Sequence, residues 1–257
     1  LHSIEIYATD DNNDSPSLSR DNFHLLLIAK NLQGVKEINV LSSNSFNRKD
    51  NHFYYKPRVF FDEIEQISDN VIILTACLGS PLWQHYKNKD NERFNKWLKF
   101  FVSNKDNVYL EVQPHIHDEQ KEYNKLLLDI AKENGMNIVA TNDVHNLDDE
   151  HSRIAKMIKE SKGIVFDADD DFETTFKSRD EMHEMFVKQG VLSNGDIEIA
   201  LDNTVNVADR VEHFEFDRSI KYPQMFDSHE QSLGSFNLNE FRDKPFSDSI
   251  DLFKHLI

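Results

Sequence analysis

The chain has 257 residues with 29 Lys and Arg against 46 Asp and Glu, giving a formal net charge of −17. That length can bury a substantial core in one large domain or two small ones, while the charge argues against a surface that wraps nucleic acid, which needs clustered cations. No run of about 18 apolar residues marks a membrane span, Leu1–Asp10 does not read as a secretory signal, and the lone Cys77 excludes an internal disulfide framework and fits a reducing, cytoplasmic setting.

Ser3–Tyr7 alternates like a strand and leads into Asp10–Asp14, a polar stretch with Pro16 that reads as a surface loop or hairpin. His24–Lys30 is a continuous apolar run of the kind found in buried strands. Gly34–Phe46 spaces Val35, Ile38, Leu41 and Phe46 as a helix does. Val71–Leu74 is the clearest buried strand. Pro81–Asn88 and Asn91–Val102 follow as helices, the second expected to bury Phe94, Leu98 and Phe101. Val108–Val112 reads as a strand, Glu119–Asn134 as a helix stopped by Gly135, Asn137–Thr141 as a strand and Asp149–Ser161 as a helix. The acidic run Asp167–Asp171 reads as a loop, and helices are predicted at Ser178–Lys188 and Gly195–Arg210. Alternating strands and helices imply right-handed crossovers and a parallel sheet or barrel.

Chemistry-bearing residues gather just after the strands, the edge where α/β folds build sites. Asp143 and His145 follow the Asn137–Thr141 strand at a spacing that puts both side chains on one side if the backbone stays extended. A carboxylate and an imidazole converging there can hold a divalent metal. The alternative is that Asp143 caps the next helix and His145 is an ordinary loop histidine. His115 and His117 follow the Val108–Val112 strand, and Cys77 follows Val71–Leu74, where a buried cysteine can equally be a small apolar residue. Glu5 lies on the first strand. Lys56 and Arg58, beside Phe53–Tyr55, form one aromatic and basic patch that could touch phosphates. Glycine is scarce, at 7 residues, and neither G-x-G-x-x-G, a Walker-type Gly-Lys-Ser/Thr nor a Gly-x-Ser-x-Gly elbow is present.

In order, His24–Asn31, Phe53–Arg58, Leu74–Gly79, Tyr109–His115 and Ala140–His145 resemble motifs of the polymerase and histidinol phosphatase (PHP) domain of bacterial and phage DNA polymerase III alpha subunits. Lys177–Ser178, Glu181–Met182, Met185–Phe186, Ala200–Thr204 and Ala208–Arg210 continue the series, so that the similarity covers roughly residues 1–226. The resemblance implies an α/β fold, a distorted seven-stranded β/α barrel (TIM-barrel-like) that here lacks its first strands. It implies divalent metal ions (Zn, Mn or Mg), at partial occupancy, with Glu5, Cys77, His115, Asp143 and His145 at ligand positions. The family's H-x-H motif and a following Asp/His pair are expected upstream of Leu1. Ser80-Pro81 stands where the family has Gly-Glu, and Pro114 and Ile116 flank His115 in place of an acidic residue and Gly.

The domain layout expected from this resemblance is a PHP domain over 1–218, incomplete at its N-terminus, and a linker into the following polymerase region over 219–257. The expected role is that of the PHP portion of a replicative DNA polymerase, itself a metal-dependent phosphoesterase or 3′–5′ exonuclease, or its degenerate structural remnant. DNA would be met through the rest of the polymerase, with a proofreading exonuclease and other replisome subunits as partners and no membrane. Alternatives are a stand-alone PHP phosphoesterase and a non-catalytic scaffold. Phe214–Phe216 through Tyr222–Gln224 resembles the family's exit from PHP towards palm and thumb, which counts against the stand-alone form.

Overall fold

The computed structural model describes residues 2–10, 21–163 and 173–220. The chain divides into two compact units, Leu1–Phe214 and Glu215–Ile257; the elements below belong to the first. The predicted loop beyond Asp10, the Asp167–Asp171 run and the tail after Ile220 lie outside the described residues.

The elements run β1 (His2–Thr9), β2 (Phe23–Ala29), α1 (Leu32–Ser45), β3 (Phe53–Tyr54), β4 (Lys56–Pro57), β5 (Val59–Phe60), α2 (Phe61–Ile64) and β6 (Val71–Leu74). They continue α3 (Pro81–Lys87), α4 (Asn91–Ser103), β7 (Val108–Val112), α5 (Asp118–Asn134), β8 (Asn137–Ala140), α6 (Asp149–Ser161), α7 (Arg179–Gln189) and α8 (Asn194–Asp209). Among the described residues the main sheet has six strands in the order β5-β1-β2-β6-β7-β8. β2 runs antiparallel to both β1 and β6, while β6, β7 and β8 are mutually parallel and β1 is parallel to β5. The expected all-parallel order therefore fails at one strand. Antiparallel neighbours do not require the crossover that parallel ones do.

Both faces of the sheet are covered. One core cluster takes Leu25, Leu27, Ile73, Leu110 and Ile138, and a second takes Ile28, Ile72, Leu74, Tyr109 and Val139 with Val207 of α8. This is why the central strands are apolar at every position rather than alternating. α5 ends at Gly135, whose φ of +62° gives the left-handed cap that glycine adopts without steric penalty. Gly34 in α1 meets a different constraint: a Cβ there would lie 2.3 Å from the backbone oxygen of Asn70, where the helix crosses the β6 entry.

Of the expected α4 core, Phe101 is fully buried, and Trp97 and Phe100 join it in place of Phe94 and Leu98. Trp97, Phe100 and Phe101 are the buried residues, while Phe94 and Leu98 are half-buried. Trp97 reaches the end of β1, where its indole Nε1 donates to Asp10 Oδ1 at 2.5 Å. His85 Nε2 lies 3.0 Å from Asp10 Oδ2, and Arg93 flanks the pair at 3.8 Å. Burial opposes ionisation of Asp10, but the hydrogen bonds from His85 and Trp97 and the charge of Arg93 outweigh it, so the carboxyl lies below the usual aspartate range. The folded value is thus below the unfolded one of about 3.9. The resulting stabilisation is complete above that pH and is lost as the pH falls through the folded value.

Asp10→Asn is expected to lower the unfolding free energy by about 2 kcal/mol at neutral pH. Urea titrations should show the gap to wild type narrowing below about pH 4. Gly34→Ala, which must displace backbone, is expected to lower stability by about 2–3 kcal/mol in the same assay.

Candidate functional site at the strand edge

Because β1, β6, β7 and β8 point the same way, the segments that follow them share one edge of the sheet. Cys77, His115, Asp143 and His145 all lie there, as the sequence predicts. Glu5 sits within β1, on the strand face that also carries Tyr7, opposite buried Ile6 and Ala8.

The structure brings Glu5 and Cys77 together through a residue without local ligand spacing, His24. The register pairs Tyr7 with His24, two positions along from the Glu5–Leu26 pair and on the same face. His24 Nδ1 then lies 2.9 Å from Glu5 Oε1 and 3.8 Å from Cys77 Sγ. Gly79 makes that position possible, since a Cβ on it would stand 2.7 Å from the His24 ring, and its carbonyl accepts the His24 N–H. The Cys77 and Glu5 contacts push the imidazole pKa up to about 10, against the opposing effect of burial. In turn the hydrogen bond from His24 is the largest effect on Glu5 and holds its carboxyl below the ordinary range.

Asp143 and His145 form the second pair, with His145 Nε2 3.4 Å from Asp143 Oδ1. Extended geometry does not persist: Asp143 has φ +48°. The loop is shaped by His145 N–H donating to Thr174 O and by Asn142 Nδ2 donating to Thr175 O at 2.6 Å. Asp143 does not cap α6, because Asp148 does.

His115 is 2 % exposed. Burial pushes its pKa down to about 4, with Asp143 and Glu173 opposing, so the imidazole is neutral at physiological pH. It is positioned by a buried amide network that no sequence motif signals. Gln189 of α7 donates to the carbonyls of His115 and Gln113, and Asn124 of α5 donates to Gln113 O and Gln189 Oε1. Beside it, Glu111 at the end of β7 is buried, and its Oε1 accepts Thr141 Oγ1–H at 2.5 Å and Gln113 Nε2–H at 3.1 Å. Burial raises the Glu111 pKa, and Asp143 adds to the rise.

Of the predicted phosphate-contacting pair, Lys56 is exposed, but Arg58 is not available. Arg58 is 2 % exposed, and its guanidinium donates to the backbone carbonyls of Asn51 at 2.9 Å and His52 at 3.3 Å. An arginine can satisfy five donors on backbone carbonyls, and this one anchors the 51–58 turn.

The residue types at this edge (Asp and Glu, Cys, and a neutral His) are those that bind zinc or manganese. Among the described residues no three His, Cys, Asp or Glu side chains are arranged to hold a metal ion. The geometry supplies the Glu5–His24–Cys77 contacts, the Asp143–His145 pair and a buried neutral histidine, His115.

Residues 1–115 match the PHP domain family. The DNA polymerase III subunit alpha of Aquifex aeolicus is 35% identical over 130 residues, covering 50% of this chain and 11% of the relative. That of Borreliella burgdorferi is 30% identical over 211 residues, covering 77% and 17%. The probable DNA polymerase YorL of Bacillus subtilis is 27% identical over 278 residues, covering 95% and 20%. The chain therefore spans a fifth or less of the length of these curated relatives. It is homologous to DNA polymerase III alpha subunits, with the match to the PHP domain family confined to residues 1–115.

Proposed function

We propose that this chain is the PHP portion of a replicative DNA polymerase III alpha subunit, acting in DNA replication in the cytoplasm, with residues 1–218 as the domain and 219–257 leading to the next polymerase region. The homology to alpha subunits supports the assignment. The mixed sheet with helices on both faces is compatible with a seven-stranded barrel completed by further strands. DNA and the replisome partners, a proofreading exonuclease among them, would be met through the whole polymerase.

We further propose that the strand edge is a metal-dependent phosphoesterase site, with Glu5, Cys77, His115, Asp143 and His145 holding divalent Zn, Mn or Mg. The observation that carries this reading is the contact of His24 with both Glu5 and Cys77, at the sheet edge that also carries the Asp143–His145 pair. When bound, such ions would supply an activated water and offset charge on a phosphodiester, the requirements of 3′–5′ hydrolysis. The chain's own residues prepare the edge. His24 favours the ionised form of Glu5 and also contacts Cys77. Burial keeps His115 neutral, the form in which imidazole can ligate. A non-catalytic scaffold is the second reading, favoured by the lack of any three convergent ligand side chains among the described residues.

Elemental analysis of the purified protein should find at least one divalent ion per chain, and His145→Ala should lose metal and 3′-end hydrolysis together. Absence of metal, with wild type and His145→Ala equally inactive, would establish the scaffold reading. Gly79→Ala, which must push the His24 ring off Cys77, is expected to weaken metal affinity about tenfold or more, read by competition with a chromogenic chelator.

A further inference from the structure

The β3–β4 hairpin pairs Phe53 with Pro57 and Tyr54 with Lys56, which leaves Tyr55 alone at the turn. Tyr55 has φ +57°, a left-handed conformation unfavourable for a bulky side chain, and it is 85 % exposed. Its ring contacts Tyr54 edge-on, with centroids 4.7 Å apart. Folding alone favours glycine or asparagine at such a position. A tyrosine held strained and in water is therefore a group presented to something else.

Its surroundings indicate what. Arg48 lies over the Phe53 ring at 4.5 Å, and the neighbouring Phe46 is 60 % exposed. Lys56 Nζ sits 4.1 Å from the centroid of Tyr7, and Tyr7 packs against His24 at 5.1 Å. His24 in turn bonds Glu5 at the strand edge. Lys56, paired with Tyr54 across the hairpin, thus leads through Tyr7 to His24 at the candidate site, with Arg48 and Phe53 beside the hairpin. The base of the hairpin is rigid, since Arg58 ties down the carbonyls of Asn51 and His52, and His52 Nε2 meets Glu63 at 3.0 Å.

We propose that the hairpin tip is a platform for single-stranded DNA, with Tyr55 stacking on a base and Lys56 contacting a phosphate as the strand end passes to the edge at Glu5 and His24. Stacking on exposed aromatics is tolerant of sequence, and isolated cations suffice to follow one backbone. The −17 net charge is therefore no obstacle to a contact this local. The proposal deepens the phosphoesterase reading by naming the form of its substrate, but it is tested without metal or turnover.

The test uses a fluorescein-labelled oligothymidylate carrying 5-bromouracil, with binding followed by anisotropy in chelator and ultraviolet crosslinks mapped by mass spectrometry. Crosslinks should fall on Tyr55. Tyr55→Gly should weaken binding about tenfold while leaving thermal stability equal or higher, whereas Tyr55→Phe should bind like wild type. Lys56→Ala should reduce the slope of log affinity against log salt by about 0.7. Unchanged affinity in Tyr55→Gly, crosslinks confined to other segments, or loss of folding in Tyr55→Gly would each overturn the proposal. A protein without metal or hydrolysis that still crosslinks at Tyr55 would sink the phosphoesterase reading and leave the platform standing.

Discussion

Glu111 ends β7 with a buried carboxyl group whose bonds join three strand termini. Its backbone N–H donates to Thr75 Oγ1 just after β6, its Oε1 accepts the Thr141 hydroxyl just after β8, and Gln113 donates to it from just beyond β7. The backbone of Ala76 adds a further hydrogen bond. Each of the two loops fixed this way contains a non-glycine residue with positive φ, Ala76 at +60° just before Cys77 and Asp143 at +48°. Such conformations are unfavourable by about 1–3 kcal/mol each and persist only when their surroundings determine them. The Glu111 group provides that determination. Without it, nothing in the backbone preference of an alanine or an aspartate would turn Cys77 towards His24 or Asp143 towards His145.

A carboxyl in this place has opposing demands. Burial disfavours its charge, and the nearby Asp143 disfavours it further, so its folded pKa lies above the free value. In the linkage sense such a group weakens the fold as pH rises past the unfolded value, the reverse of Asp10, whose bonds from Trp97 and His85 hold it ionised. The edge therefore carries one carboxyl kept towards neutrality under the strand ends and another kept charged at the end of β1. Glu5 joins the ionised class through His24. That division lets acidic groups stand close together without mutual repulsion opening the loops.

Much of this was legible in the chain. The strand ranges Val71–Leu74 and Val108–Val112 and the helix Asp149–Ser161 coincide with the observed elements, because continuous apolar runs and capping residues act locally. The placing of Cys77, His115, Asp143 and His145 after parallel strands was legible for the same reason. The direction of β2 was not, since an apolar run has no polarity. His24 was missed because its partners come from cross-strand register, not from spacing along the chain. Gln189 and Asn124 were missed because burying an amide leaves no pattern. Arg58 was misread because a charge was equated with exposure, whereas its guanidinium is held by carbonyls.

The same misreading explains why the basic patch looked weaker in sequence than in space. With Arg58 turned inward it becomes the anchor of the hairpin, and the exposed cations are Lys56 and Arg48, set beside aromatic rings that the linear sequence separates. A strained turn survives only on a rigid base, because a flexible one would relax the tip. Arg58 and the His52–Glu63 contact supply that rigidity from beneath, as Glu111 does for the loops at Cys77 and Asp143. In both places a buried polar side chain bonded to its surroundings holds a neighbouring residue in a conformation it would not adopt alone. The groups so displayed, Tyr55 in one case and Cys77 with Asp143 in the other, contribute little packing of their own. Stability and display are thus assigned to different residues, which is the arrangement a binding edge requires.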